Sequence, residues 1–221
     1  MIVNGARLVP DPSGGLFWPA ESLLIVADLH FEKGSAYAER GVPLPPYDTP
    51  ATLDDLAELI ERHQPQTVVC LGDSFHDQRA GERLAREDVI RLKSLRAGRD
   101  WIWIAGNHDP EPPAHLGGRV LAEYRRGPLL LRHEPRPAPA PGEVAGHLHP
   151  KAAVRVRGRR MVRRCFVTDG LRLILPSFGA FTGGLDVLDA AFHALFPDAF
   201  HAHMLGRGSI HRVASRRLVQ I

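Results

Sequence analysis

Apolar residues in this chain come in short runs that stop abruptly at polar segments. The run Leu23-Leu24-Ile25-Val26-Ala27 stops at Asp28-Leu29-His30, Val68-Val69-Cys70-Leu71 stops at Gly72-Asp73, and Trp101-Ile102-Trp103-Ile104-Ala105 stops at Gly106-Asn107-His108-Asp109-Pro110. Unbroken apolar runs of this length are expected of strands buried on both faces. Between them the spacing turns helical. Leu53, Leu56, Leu59 and Ile60 predict one helix, with Thr52 as N-cap, Asp54 and Asp55 in the first turn and Pro65 as the stop. Leu84, Ala85, Val89, Leu92 and Leu95 predict a second, amphipathic helix. Strands alternating with helices imply parallel pairing through right-handed crossovers.

Upstream, the turn-forming Asp11-Pro12-Ser13-Gly14-Gly15 predicts a hairpin that covers a sheet edge. Residues 31–50 are polar, irregular in pattern and longer than a minimal connection, which predicts a wall for a nearby site. Beyond Pro110 the rhythm shortens: apolar runs at 120–121, 129–131, 144–145, 154–156, 161–167 and 171–175 predict a second, mainly antiparallel sheet. The Pro-rich residues 135–142 read as a loop. Leu185, Leu188, Ala191, Phe192 and Leu195 predict one late helical face, ended by Pro197.

With 221 residues and 44% hydrophobic content the chain can bury a substantial core, so residues 1–221 are expected to form a single domain. No apolar run is long enough to span a bilayer, and Met1-Ile2-Val3-Asn4-Gly5 lacks the basic-then-apolar pattern of a secretory leader. The expectation is therefore a cytoplasmic protein that does not enter the membrane. Two cysteines, Cys70 and Cys165, are too few for a disulfide framework or a thiolate metal site. Cys70 lies within a strand pattern and reads as a packed small hydrophobe.

The net charge of +3 is unevenly placed, with 28 Lys and Arg against 25 Asp and Glu overall and the basic surplus lying beyond residue 150. Such asymmetry can mark a face for a polyanion. Within it, Arg155, Arg157, Arg159, Arg160, Arg163 and Arg164 surround Gly158 and alternate with Val154 and Val156, the pattern of a hairpin with one solvated face. Two readings stay open. Such a strip tracks phosphates, or its charge keeps an edge strand from aggregating.

The chemistry gathers at the ends of the apolar runs, where open parallel sheets place their ligands. Asp28, His30, Asp73, Asn107, His108, His133, His147 and His149 combine carboxylate, amide and imidazole groups. That mixture suits borderline divalent ions such as Mn²⁺, Zn²⁺ or Fe²⁺. His147 and His149 lie two apart, and in a strand such residues address one side. A turn or a satisfied polar pair explains any single member. Their joint occurrence, each after an apolar run, predicts a metal site. The remaining histidines read as solvated or structural, with His76 set apart because it lies near Asp73.

The ordered set Asp28-x-His30, Gly72-Asp73, Gly106-Asn107-His108-Asp109, His133 and Gly146-His147-x-His149 resembles the calcineurin-like metallophosphoesterase superfamily over nearly the whole chain. The resemblance implies an α/β fold, a two-sheet αββα sandwich, with two divalent metal ions. Asp28, His30, Asp73 and His149 would hold the first ion, and Asp73, Asn107, His133 and His147 the second, with Asp73 bridging. A carboxylate between two dications offsets their repulsion, and a water bridging them becomes the hydroxide that attacks phosphorus. His108 would stabilise the developing charge and protonate the leaving oxygen. Asp109 either supports the His108 imidazole by a hydrogen bond or merely caps a turn before Pro110.

Two departures bear on substrate. His133 is followed by Glu134-Pro135 where many members carry glycine, and Gly72-Asp73 continues as Ser74-Phe75-His76-Asp77 rather than the Asp-Arg-Gly of protein Ser/Thr phosphatases. Together with Asp109 in place of glutamate, this argues against a phosphoprotein substrate. Residues 27–35, Leu44-Pro45-Pro46-Tyr47-Asp48-Thr49 and residues 175–184 resemble the bacterial ligase-associated DNA damage response endonuclease branch. That resemblance implies a Mn²⁺-dependent phosphodiesterase and DNA endonuclease working beside a DNA ligase, a helicase and an exonuclease. Lys33 and Tyr47 are the expected contacts to substrate phosphate or base, with Arg155 and Arg157 as further DNA contacts; packing under the loop is the other reading of Tyr47. Alternatives are a phosphoesterase for nucleotides or other small phosphate compounds, and a non-catalytic scaffold. A homodimer is left open.

Overall fold

The computed structural model describes residues 1–42, 44–45 and 47–221. Among these residues, one sheet has six strands in the order Val9–Pro10, Leu16–Trp18, Leu23–Val26, Thr67–Cys70, Asp100–Ile104 and Arg119–Leu121. The three long apolar runs are its central strands, and from Leu23–Val26 onward neighbours are parallel. The hairpin around Asp11 and Gly15 forms the edge, as its turn residues predict. Residues 119–121, expected in the second sheet, instead extend this first one alongside Asp100–Ile104. The connection through Ala114–Leu116 brings them back parallel, and the Trp103 indole N–H donates to Gly117 O at 2.8 Å.

The second sheet is mainly antiparallel, as expected, but it contains a parallel core. Leu129–Arg132, Glu143–Ala145 and Leu173–Ile174 run side by side in one direction. The long hairpin Pro150–Val156 and Arg159–Thr168 and the pair His201–Leu205 and Ile210–Ala214 complete most of it. The hairpin turn has Arg157 and Gly158 both at positive φ, 50° and 76°, the twist that two-residue hairpin turns require.

Five helices occur among the described residues: α1 Lys33–Glu39, α2 Asp48–His63, α3 Ala80–Arg83, α4 Arg86–Arg96 and α5 Ala190–Leu195. The stretch 31–50, expected to be irregular, thus contains α1. Pro46 of the Leu44-Pro45-Pro46-Tyr47 motif lies outside the described residues. Helix α2 starts before the expected cap: Thr52 is inside it, buried, with its hydroxyl accepting the Ala180 N–H at 3.1 Å. Pro50 does not block this, because a proline in the first turn surrenders an N–H that has no helical partner. The late helix is shorter than expected. Leu185–Asp186 is a strand, and Asp189 caps α5 by accepting the Ala191 N–H at 2.9 Å.

Alternation along the central strands sorts side chains into layers. Leu23, Ile25 and Ala27 pack between the sheets with Leu131, Val144, Phe166 and Leu173. Leu24, Val26, Val68 and Trp101 face outward to Leu53, Leu56, Ile60 and Leu92 of α2 and α4. On the far side Cys165, Val167 and Ile174 meet Phe192 and Leu195 of α5. The result is the expected αββα sandwich. Both cysteines are free and buried. Inside the second sheet Arg172 and Glu143 form a buried ion pair, and Arg172 also donates to Leu195 O at 3.1 Å. No helix among the described residues is long and apolar enough to cross a membrane.

Candidate metal centre

Five strands end at one place. Leu23–Val26 leads to Asp28 and His30, Thr67–Cys70 to Asp73, Asp100–Ile104 to Asn107 and His108, Leu129–Arg132 to His133, and Glu143–Ala145 to His147 and His149. The first three strands are parallel neighbours in one sheet and the last two are parallel neighbours in the other. Backbone hydrogen bonds stitch the loops together: Asp28 N–H to Gly72 O at 3.2 Å, His30 N–H to Asp73 O at 2.9 Å and Gly146 N–H to His133 O at 3.0 Å.

The side chains converge in two groups. Ligating atoms of Asp28, His30 and His149 lie within 4.8 Å of one another, and so do those of Asp73, His133 and His147. Asn107 joins the second group, its Oδ1 2.9 Å from His133 Nε2. Asp73 Oδ1 is 3.4 Å from the same nitrogen. His133 Nδ1 donates to Leu71 O at 2.8 Å, which turns Nε2 inward.

The arrangement fits cations better than it fits a closed hydrogen-bond network. His30 Nε2 faces His149 Nε2 at 3.3 Å, and His147 Nδ1 faces His133 Nε2 at 3.2 Å. Facing imidazole nitrogens cannot both carry protons at that separation, and His30 Nδ1 is buried with no partner. The mixed nitrogen and oxygen donors suit borderline divalent ions. Burial and the neighbouring His149 hold the His30 pKa well below the ordinary value. Burial works against a charged His133, but the Asp73 hydrogen bond and the Asp28 charge overcome it and raise its pKa to about 9. Asp73, despite burial, is pulled low by the same histidine.

This convergence needs strained backbone. Asp28, His30, Asp73, His147 and His149 all have φ between 46° and 69°, a region that costs a non-glycine residue of order 1–3 kcal/mol. Close approach also explains a glycine. A Cβ on Gly106 would run into the Asp73 amide and carboxylate and into Asp109.

Residues 175–184 brace the first loop: Phe178 N–H donates to Ala27 O at 2.8 Å and Gly179 N–H to Asp28 O at 3.2 Å. Residues 32–35 are tied to the start of α2. Glu32 accepts from the Thr49 hydroxyl at 2.9 Å and the Ser35 hydroxyl at 2.6 Å, and Gly34 N–H donates to Asp48 Oδ2 at 2.9 Å. The two stretches outside the metal motifs thus hold the Asp28 loop and α1 in place.

His108 is half exposed, with Nδ1 held by His76 O at 2.8 Å and Nε2 turned towards Asp73 Oδ2 at 4.0 Å. Its backbone N–H donates to Asp73 Oδ1 at 2.9 Å. Asp109 departs from the expectation. Its carboxylate does not hold the His108 imidazole; Oδ2 accepts the N–H groups of Ser74 and Phe75, at 2.9 and 3.1 Å. It fixes the loop that carries Asp73. Burial, with Asp73 nearby, raises its pKa to about 7 against the effect of those amides.

His76, set apart in the sequence for lying near Asp73, joins the centre. It is buried, and a third group, His30, His76 and His108, also brings ligating atoms within 4.8 Å. Its ring stacks on His108 at 5.3 Å between centroids. Burial, then Lys33 and His108, lowers its pKa to about 4. The position three residues after Asp73 in Gly72-Asp73-Ser74-Phe75-His76 was the available signal.

The expected substrate contacts lie at different places. Lys33 is half-buried at the start of α1, its Nζ 5.9 Å from the Tyr37 ring centre. Tyr47 is 68% exposed, so packing under the loop does not describe it. Arg155 and Arg157 are exposed, but the strand that begins beside His149 carries them outward by about 3.3 Å per residue, to the far end of the hairpin. They do not flank the centre. Arg164, expected on the solvated face, is instead half-buried and donates to Ser177 O at 2.8 Å and Phe178 O at 3.3 Å.

The model of the calcineurin-like phosphoesterase family matches residues 22–175. Among solved structures, the chain is similar to Pseudomonas putida nuclease MPE, with 31% identity, a TM-score of 0.74 and coverage of 96% of this chain and 98% of that one. It is also similar to the E. coli phosphoesterase Yfce, at 22% identity and a TM-score of 0.44, covering 86% of this chain and 97% of that one. No curated protein sequence matches it.

Proposed function

Because the chain belongs to the calcineurin-like phosphoesterase family, we propose that this metal-dependent phosphoesterase is a phosphodiesterase that cuts DNA internally. The observation that carries the reading is the convergence of two three-donor groups beside a half-exposed His108, in a chain similar end to end to a nuclease.

In this reading Asp28, His30, Asp73 and His149 hold one ion and Asp73, Asn107, His133 and His147 the other, with Mn²⁺ the preferred metal and Zn²⁺ or Fe²⁺ alternatives. When bound, such ions neutralise phosphate oxygens and lower the pKa of water. The chain's own residues do the rest. His76 O fixes the Nδ1 proton of His108, so Nε2 is the atom that meets the leaving oxygen and delivers its proton. Asp109 and Gly106 keep Asp73 where the two groups meet. Lys33 offers a charge to a substrate phosphate. Tyr47 offers an exposed ring to a substrate phosphate or base, and Arg155 and Arg157, out along the hairpin, are contacts available only to a long polymer. A cytoplasmic setting, and work beside a DNA ligase, a helicase and an exonuclease, complete the proposal.

The test uses purified protein and its Asp73→Asn variant, each with single-stranded DNA, circular duplex DNA and bis(p-nitrophenyl) phosphate, with and without Mn²⁺. The expected result is Mn²⁺-dependent DNA cleavage that Asp73→Asn abolishes. Hydrolysis of the small diester alone would move the reading to small phosphate compounds. Wild-type turnover by Asp73→Asn would remove the two-metal arrangement.

A further inference from the structure

A cleft of about 790 Å³ opens directly onto the centre, lined by Asn107 and His108 on one side and by α1 and the residues after His76 on the other. Its volume is in the range of small-ligand sites, a few hundred Å³ to ~1,000 Å³. Two features give it a chemical character. The first is a train of rings. Tyr37 lies 5.7 Å from His76 and His76 lies 5.3 Å from His108, centroid to centroid, so π surface runs from α1 to the proposed acid. The second is an unbalanced charge. Arg83 bonds Asp77 at 2.8 Å and Arg79 reaches Glu39 at 3.3 Å, which neutralises both carboxylates of the cleft. Arg40, exposed at the end of α1, has no carboxylate within ion-pair distance among the described residues.

We propose that this cleft is the subsite for the nucleotide unit next to the scissile phosphate, with Tyr37 and the edge of His76 stacking its base and Arg40 meeting the following phosphate. This rests on the phosphodiesterase reading above and extends it. Ring faces joined to a lone cation are the means by which single strands are held irrespective of sequence. A paired helical duplex hides its base faces, so the subsite takes an unpaired nucleotide.

The test compares two esters with the same leaving group, thymidine monophosphate p-nitrophenyl ester and bis(p-nitrophenyl) phosphate, in wild type, Tyr37→Ala and Tyr37→Phe. The ratio of their kcat/KM values is expected to fall about tenfold in Tyr37→Ala and to hold in Tyr37→Phe, since stacking needs the ring and not the hydroxyl. Independently of turnover, fluorescence anisotropy with a labelled single-stranded oligonucleotide in EDTA is expected to show weaker binding by Tyr37→Ala and Arg40→Ala. Equal loss on both esters, or unchanged ratio and binding, overturns the subsite while leaving DNA cleavage intact. A wild type that neither binds the oligonucleotide nor prefers the nucleotide ester overturns the DNA reading and the subsite together.

Discussion

Asp109 and Ser74 are joined across 35 residues of sequence: Asp109 Oδ2 accepts the Ser74 N–H at 2.9 Å, and the same oxygen takes the Phe75 N–H at 3.1 Å. The bond closes the loop after Thr67–Cys70 onto the loop after Asp100–Ile104, with Asp73 between them. Asp109→Ala leaves two buried donors unmet, at about 1–3 kcal/mol each, whereas Asp109→Asn keeps an acceptor oxygen. Denaturant unfolding is expected to show a multi-kcal/mol loss for the alanine variant and a smaller one for asparagine. The response of kcat/KM to leaving-group pKa is expected to stay as in wild type in either variant, because Asp109 does not touch the His108 ring. A steeper response with unchanged stability would restore Asp109 as the partner of His108.

The same crowding makes Gly106 a sensitive position. Any Cβ there meets the Asp73 amide and carboxylate, and these belong to the tightly bonded loop just described rather than to a flexible side chain. Gly106→Ala is therefore expected to displace the Asp73 carboxylate from its place beside His133 and His147. Metal content after dialysis against Mn²⁺ is predicted to fall below that of wild type at matched helix content. Full metal loading by the alanine variant would mean the loops relax more freely than their hydrogen bonds suggest.

How much of this was legible in the sequence follows from the range of the interactions. Strands read from apolar runs, and ligands read from what stands at their ends, depend on a few neighbouring residues. The αββα order and both donor groups were accordingly open to reading. Asp109 was not, because its partners are amides 35 residues away, and a backbone N–H has no signature in a sequence. Nor was the His76 carbonyl that anchors His108, 32 residues on. Helix α1 was hidden for another reason. Its seven residues, Lys33–Glu39, are too few to show a helical stripe, and it is held by Thr49 and Asp48 instead of by an apolar face. The arginine hairpin was legible as a hairpin from its alternation around Gly158, but its distance from His149 was not, because that depends on how far the extended strand Pro150–Val156 runs.

Acid should weaken the second sheet through His203. Burial, then the chain's amino terminus and Arg212, lower its pKa from 6.5 to about 4. The unfolded chain therefore binds more protons between those values, and by linkage the stability that is full above about pH 6.5 is lost as pH falls towards 4. His203→Phe removes the titration while keeping a ring on the same strand. Thermal midpoints of wild type are expected to drop more steeply across that window than those of the variant. Parallel curves would show that other groups dominate the acid limb.

Metal binding and proton delivery are separable at His108. The His108 side chain is half exposed, tied by Nδ1 to His76 O and packed ring to ring with His76 and His30. Its bond to Asp73 Oδ1 is made by the backbone N–H and survives in His108→Ala, so the donor groups are expected to stay in place. Metal content is expected to match wild type. Loss of a general acid is worth about 10²–10⁴ in rate, but only where the leaving oxygen needs a proton. Turnover is therefore expected to collapse with alkyl or deoxyribosyl leaving groups and to fall much less with p-nitrophenolate, which departs unprotonated. The slope of log kcat/KM against leaving-group pKa should steepen in the variant. A uniform fall across leaving groups would instead assign His108 to holding the phosphate, and lost metal would place it in the third donor group with His30 and His76.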